Sequence, residues 1–236
     1  MRKAVLLVAF LLSVVIVLLY SIHSEDGAAS RGKTEQSYRM MSLLGENRGE
    51  SHLPGTPYKI VIDPGHGGKD RGATGASGSS EKDFTLQLAL KVKELATQEP
   101  QIQVYLTRTD DQFISSIDRA RPKFANDLGA DLFISIHGNT YEDPNISGTE
   151  TYYYHEDSLS LAEIMQKHMI QTSGFRDRGV KKENYFVVKE TNMPGVLIET
   201  GYLTNPQEEK QMLSDEVQFR MASSILDGIK EYLELR

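Results

Sequence analysis

The apolar residues of this chain change spacing several times, and each spacing points to an element. From Ala4 to Tyr20 the run AVLLVAFLLSVVIVLLY carries no charge and follows Met1, Arg2 and Lys3. It is just long enough to cross a bilayer, which takes roughly 20 apolar residues. The basic residues before it favour an N-terminus inside and the remainder outside. A membrane or signal anchor over residues 1–24 is expected. A cleaved secretory signal has the same first half and would make the protein secreted; Ser21, Ile22, His23, Ser24 and Glu25 offer no small-x-small junction, and Ala28, Ala29 and Ser30 come later than is usual. Residues 25–57 turn polar and read as a stalk, unable to bury enough surface to offset their own ordering.

From residue 58 onward the pattern is that of a folded domain. YKIVI, Tyr58 to Ile62, is a β-branched run that ends at Asp63, Pro64 and glycines, as a central strand entering a loop does. After the polar loop GHGGKDRGATGASGSS, Ser80 stands as a helix N-cap and Phe84, Leu88, Val92 and Leu95 recur at helical spacing. Ile102, Val104 and Leu106 alternate as a strand, a helix runs through Ile117 to Leu128, and Gly129 stops it. DLFISIH, Asp131 to His137, is a third strand, and GTETYYYH, Gly148 to His155, a strand nearer an edge. A helix then buries Leu161, Ile164, Met165 and Met169, Tyr185 to Val188 is short and extended, and MPGVLIE closes in a strand at Glu199. Asn205, Pro206 and Glu208 supply an N-cap, a first-turn proline and a capping-box acid. Ser214 opens the last helix, whose buried stripe is Ala222, Leu226, Ile229 and Leu233. Strands with nearly continuous apolar runs are buried on both faces, so helices cover a largely parallel sheet. Residues 58–236 suit one α/β domain with a sizeable core.

Composition narrows the partners. A formal net charge of -7 with no basic block speaks against nucleic acid, and the absence of cysteine rules out disulfides.

The candidate chemistry sits at strand ends, where ligand sites form in helix-covered sheets: Asp63 and His66 after the first strand, His137 after the third, Glu199 after VLIE. His66 and His137 offer two imidazoles, and Glu81, where the glycine-rich loop meets its helix, offers a carboxylate. A His2Glu set leaves zinc's fourth position open, the catalytic rather than the structural arrangement. Amide cleavage also needs a proton carrier. Glu199 is the best placed, since partial desolvation at the end of an apolar strand would raise its pKa; Asp83 is better read as complementing a helix dipole. Each has a plainer role open to it: His66 as a turn residue, His137 satisfying strand-end backbone groups, Glu81 as a first-turn acid, Glu199 as partner of a buried Arg. Of the remaining histidines, His23, His52 and His168 read as exposed, and His155 is a reserve ligand. The glycine loop lacks the order of a phosphate-binding loop, and close approach or mobility around a metal explains it better.

Five motifs then carry a resemblance: IDPGHGG (Ile62 to Gly68), EKDFTLQLALKVKELA (Glu81 to Ala96), RPKFAND (Arg121 to Asp127), ADLFISIHGN (Ala130 to Asn139) and MPGVLIETGYLTN (Met193 to Asn205). In that order they resemble the zinc-dependent N-acetylmuramoyl-L-alanine amidases over nearly everything from Tyr58 onward. The resemblance implies a single α/β domain with a mixed, mostly parallel sheet of about six strands flanked by helices. It implies one zinc ion per chain on His66, Glu81 and His137, Glu199 as the catalytic carboxylate, and hydrolysis of the amide between N-acetylmuramic acid and L-alanine of the peptidoglycan stem peptide. Arg121 and Asn126 match family positions near the active face, where positioning and structural pairing are both open. Lys189 and Glu190 depart from the usual approach to the catalytic strand.

Within the family the size, the expected anchor and the lack of wall-binding repeats are most similar to the germination-specific amidases of endospore-forming bacteria. That implies spore-cortex peptidoglycan as substrate, a muramic-acid deacetylase acting next to give muramic-lactam, and a catalytic domain held outside the cytoplasm; whether an accessory activator takes part is left open. The short loop GNTYEDPNISG implies a groove open to a glycan strand, with Tyr141 and Tyr185 as rim contacts. Two other functions share the residues: a zinc peptidase cutting within the stem peptide, and a non-catalytic wall-binding protein.

Overall fold

In the computed structural model, residues 55–235 are described. Strand β1 (Tyr58–Pro64) is followed by helix α1 (Glu81–Ala96), β2 (Ile102–Leu106), α2 (Ala120–Leu128), β3 (Leu132–Asn139) and β4 (Thr149–Tyr153). A 3-10 turn leads into α3 (Leu159–Ser173), then come β5 (Asp177–Lys182), the one-turn α4 (Phe186–Lys189), β6 (Gly195–Tyr202), α5 (Pro206–Met212) and α6 (Asp215–Tyr232). The strands form one six-stranded sheet in the order β2-β1-β3-β6-β4-β5. Strands β2, β1, β3 and β6 are mutually parallel; β4 runs antiparallel to β6, and β5 runs parallel to β4. The mixed, mostly parallel sheet flanked by helices is thus as expected.

The period of two along each strand divides the core. Ile60, Ile62, Leu132, Ile134, Ile136, Val196 and Ile198 pack on one face against Phe84 and Leu88 of α1, Leu161 and Met165 of α3 and Met221 and Ile225 of α6. Val61, Phe133 and Leu197 point the other way, into a smaller cluster with Ala125 of α2 and Val187 and Val188 of α4. Apolar runs without alternation are therefore the signature of a sheet covered twice. On the second face the same period brings Asp63, His137 and Glu199 to the carboxyl ends of β1, β3 and β6.

Three local expectations change. The helix expected from Ile117 starts at Ala120, leaving Ile117 88% exposed. The run YFVV, β-prone in isolation, turns helical in α4, where Val187 and Val188 are buried against the small core. Strand β5 has no apolar alternation to announce it, because none of its residues is buried. By contrast, Asn205 caps α5 as expected, its side chain accepting from the backbone N–H groups of Gln207 and Glu208.

The membrane-spanning or signal-anchor helix is a correction. No helix among the described residues is long and apolar enough to cross a membrane. The physical reason is that they are two-sided: α6, of 18 residues, buries Met221, Ile225 and Ile229 but exposes Asp215, Glu216, Arg220, Asp227 and Glu231. The run 4–20 that prompted the expectation lies outside the described residues, as do residues 25–54 of the stalk, and the membrane as a partner and a membrane-anchored localisation are withdrawn with the helix.

Candidate metal centre

The site begins where β1 runs out of sheet partners. Gly65 N–H makes a last bond to the Ile136 carbonyl at 3.0 Å, and His66 follows in the left-handed region at φ 62°. From there the His66 ring faces the start of α1. His66 Nε2 lies 3.1 Å from Glu81 Oε2 and His137 Nδ1 lies 2.9 Å from Glu81 Oε1. The two imidazole rings meet edge to face, with centroids 5.0 Å apart. One ligand atom from each of His66, Glu81 and His137 falls within 4.8 Å of the others, the spacing a single metal ion requires.

The chain is shaped to allow this approach. A Cβ on Gly65 would stand 2.4 Å from the His137 ring, and one on Gly72, at φ 65°, would stand 2.5 Å from Glu81 Oε2. Close approach of side chains, one of the two explanations expected for the glycine loop, thus accounts for these two glycines. Backbone N–H groups also hold the Glu81 carboxylate, Ala73 donating to Oε2 at 2.8 Å and Gly138 to Oε1 at 3.0 Å. Burial alone would raise the Glu81 pKa, but the His137 and His66 imidazoles beside it drive it far below the usual carboxylate range. Such a site attracts a cation.

Glu199 stands next to this group through strand register. His137 pairs with Glu199 across β3 and β6, and Glu150 pairs with Glu199 across β4 and β6, so the three side chains line one level of the sheet. Glu199 Oε2 is buried with no hydrogen-bond partner. Burial, reinforced by the negative charges of Glu81 and Glu150, pushes its pKa well above the ordinary value, in the direction a proton carrier needs.

Residues 60–231 match the N-acetylmuramoyl-L-alanine amidase family. The chain belongs to this family. The probable cell wall amidase LytH of Staphylococcus epidermidis is 34% identical over 189 residues, which cover 78% of this chain and 62% of that protein. This chain thus spans a little under two thirds of the length of the curated relatives it matches. The catalytic domain of CwlV, an N-acetylmuramoyl-L-alanine amidase from Bacillus (Paenibacillus) polymyxa var. colistinus, superposes with a TM-score of 0.73 at 43% identity, covering 76% of this chain and 99% of that one. An N-acetylmuramoyl-L-alanine amidase from Clostridium difficile superposes at 0.73 and 38% identity, covering 76% and 98%.

The other candidates of this amidase-family chain separate clearly. His155 Nε2 is 2.8 Å from the Lys189 carbonyl and His168 pairs with Glu231, so neither joins the metal group, while His23 and His52 lie outside the described residues. Asp83 is an exposed first-turn acid of α1. Asn126 pairs structurally, donating to the Glu190 carbonyl and accepting from Asn192 N–H, each at 2.8 Å. Tyr141 is 59% exposed and, with Thr140 and Glu142, lines a cavity of about 510 Å³ just past the end of β3. Tyr185 packs edge to face on Tyr152. Three residues were missed: Asp70, 2.9 Å from His66 Nδ1; Glu150, buried beside Glu199 and paired with Lys181 and Arg178; and Arg108, 1% exposed. A charged residue amid the apolar positions of TETYY was the signal for Glu150; Asp70 and Arg108 lie in polar segments that carry none.

Proposed function

We propose that this chain is a zinc-dependent N-acetylmuramoyl-L-alanine amidase, cleaving the amide between N-acetylmuramic acid and the L-alanine of peptidoglycan stem peptides. His66, Glu81 and His137 would hold one zinc ion, and Glu199 would carry the proton. The observation that carries this reading is the juxtaposition of the three-residue ligand group with a buried carboxyl oxygen that no protein group satisfies. Two imidazoles and one carboxylate fit zinc, and such a set leaves a position for a reactant. When bound there, zinc supplies Lewis acidity toward a carbonyl or a water molecule.

The chain's own residues supply the rest. Ala73 and Gly138 N–H groups keep both Glu81 oxygens turned toward the imidazoles. Asp70 holds His66 Nδ1 and so directs Nε2 inward. Glu199 has an uncommitted oxygen in a desolvated place, suited to taking a proton from the attacking water and returning it to the amine nitrogen as that nitrogen leaves. The reading includes residues 58–236 as the catalytic unit and a stem-bearing glycan strand as substrate. Action on spore cortex ahead of a muramic-acid deacetylase is a narrower form of it. That form rests on the resemblance to the germination-specific amidases, with which the short segment between β3 and β4 is in keeping; loss of muramic-lactam from spores lacking the protein would support it, and unaltered cortex would end it.

The decisive experiment is mass analysis of muropeptides after incubation with the full chain, with and without chelator. An amidase releases peptides beginning with a free L-alanine amino group and leaves intact lactyl-muramic acid. Alanine remaining on the sugar would instead indicate a peptidase acting within the stem.

A further inference from the structure

Two arginines that the mechanism does not use are buried directly beneath the loop that carries His66. Arg108 and Arg121 are 1% and 6% exposed. Between them they take three consecutive carbonyls. Pro64 O accepts from Arg108 Nε at 3.1 Å and Arg121 Nη1 at 2.8 Å; Gly65 O accepts from Arg108 Nη2 at 2.9 Å; His66 O accepts from Arg121 Nη2 at 2.6 Å. Burying a guanidinium costs several kcal/mol unless it is paired and hydrogen-bonded. Arg121 is paired with Asp63, whose carboxylate also accepts from the Thr107 and Ser135 hydroxyls. Arg108 has carbonyl and hydroxyl acceptors instead, including Lys82 O and Thr85 Oγ1.

We propose that Arg121, seconded by Arg108, is a positioning residue that presets His66 for zinc by holding the backbone of its loop. This role presupposes zinc at His66, Glu81 and His137. Beyond Pro64 the chain has left the sheet, and a left-handed backbone at a residue other than glycine persists only where its surroundings over-determine it. The Arg121 fork supplies that constraint at the carbonyl end of His66, while Asp70 and Glu81 hold the ring. A loop ordered in advance does not lose its freedom when the ion binds, so affinity gains what ordering would otherwise cost. Lysine keeps the charge opposite Asp63 but cannot reach Asp63, Pro64 O and His66 O together, because it lacks the planar fork.

The test uses the full chain as Arg121→Lys, with zinc affinity measured by competition against a chromophoric chelator. Secondary structure and the thermal midpoint are recorded in the metal-free state. The expected result is a folded protein whose zinc dissociation constant rises about 10- to 100-fold, the usual range for residues behind a metal ligand. Its hydrolytic activity should climb as free zinc is raised, whereas that of Glu199→Gln should not. A folded Arg121→Lys chain with the parent's zinc affinity, even one with a lowered thermal midpoint, overturns the proposal and leaves a merely structural ion pair. Should Arg121→Lys fail to fold, Arg108→Lys decides by the same titration, since it unpairs no buried carboxylate; parental affinity there overturns the proposal too. A parent chain that binds zinc no better than His66→Ala brings down the zinc reading itself, a different outcome from parental affinity in the lysine variants.

Discussion

His137 and Glu199 reach the site from paired strands in the middle of the sheet, whereas His66 reaches it from a loop that has left the sheet. The first two are placed by ladder register and the period of two, with Phe133, Ile134, Val196, Leu197 and Ile198 buried behind them. The third is placed by contacts distant in sequence, Arg121 on α2 and Arg108 after β2, and by the space that Gly72 leaves within its own loop. A rigid sheet thus places His137 and Glu199 cheaply, whereas His66, off the sheet, needs its own scaffold of buried charge, and Glu81 comes in from the first turn of α1.

The variants that probe this contrast differ widely in size of effect. Glu199→Gln, on the strand side, should bind zinc normally and lower turnover by about 100- to 10,000-fold, the range for a lost general acid-base group; unchanged muropeptide release would remove Glu199 from the reaction. Gly72→Ala, on the loop side, forces a Cβ to within 2.5 Å of Glu81 Oε2 at φ 65°. The left-handed backbone alone costs roughly 1–2 kcal/mol. A lowered thermal midpoint together with weaker zinc binding is expected, and a variant matching the parent in both would show that the loop has slack.

Acid should act on the loop's foundation next. Burial raises the Asp63 pKa, yet the Arg121 guanidinium and the Thr107 and Ser135 hydroxyls outweigh it and hold the group below its usual value. A folded-state pKa below the unfolded value of about 3.9 means that the stabilisation is present above that pH and is lost as pH falls through the folded pKa. The thermal midpoint of the parent should therefore fall more steeply on the acid side than that of Asp63→Asn; parallel slopes would deny the pair its role. Tyr141→Ala should do least, raising KM a few-fold with the zinc site intact, and no change in KM would take Tyr141 off the substrate rim.

The same contrast explains what could be read from sequence. The stripe of α1 and the apolar runs of β1, β3 and β6 are strong because both sheet faces are covered, and polar residues at the ends of such runs stand out. His137 and Glu199 were visible for that reason, and His66 by its glycines. Strand β5 and helix α4 were not: DRGVKK lies at a sheet edge with little to bury, and YFVV is turned helical by tertiary packing against its local preference. Glu208 looked like a capping-box acid, yet its carboxylate accepts from Gly148 and Tyr202 N–H, partners that no local pattern names. The Arg108 and Arg121 contacts are of this second kind.

Zinc stoichiometry bears most directly on the claim that one ion is shared by two imidazoles and a carboxylate. Measured by elemental analysis at equimolar supply, the parent and Glu199→Gln should each retain one zinc per chain, and His66→Ala, Glu81→Ala and His137→Ala, verified as folded, should retain almost none. Full occupancy in any of the three ligand variants would contradict the account.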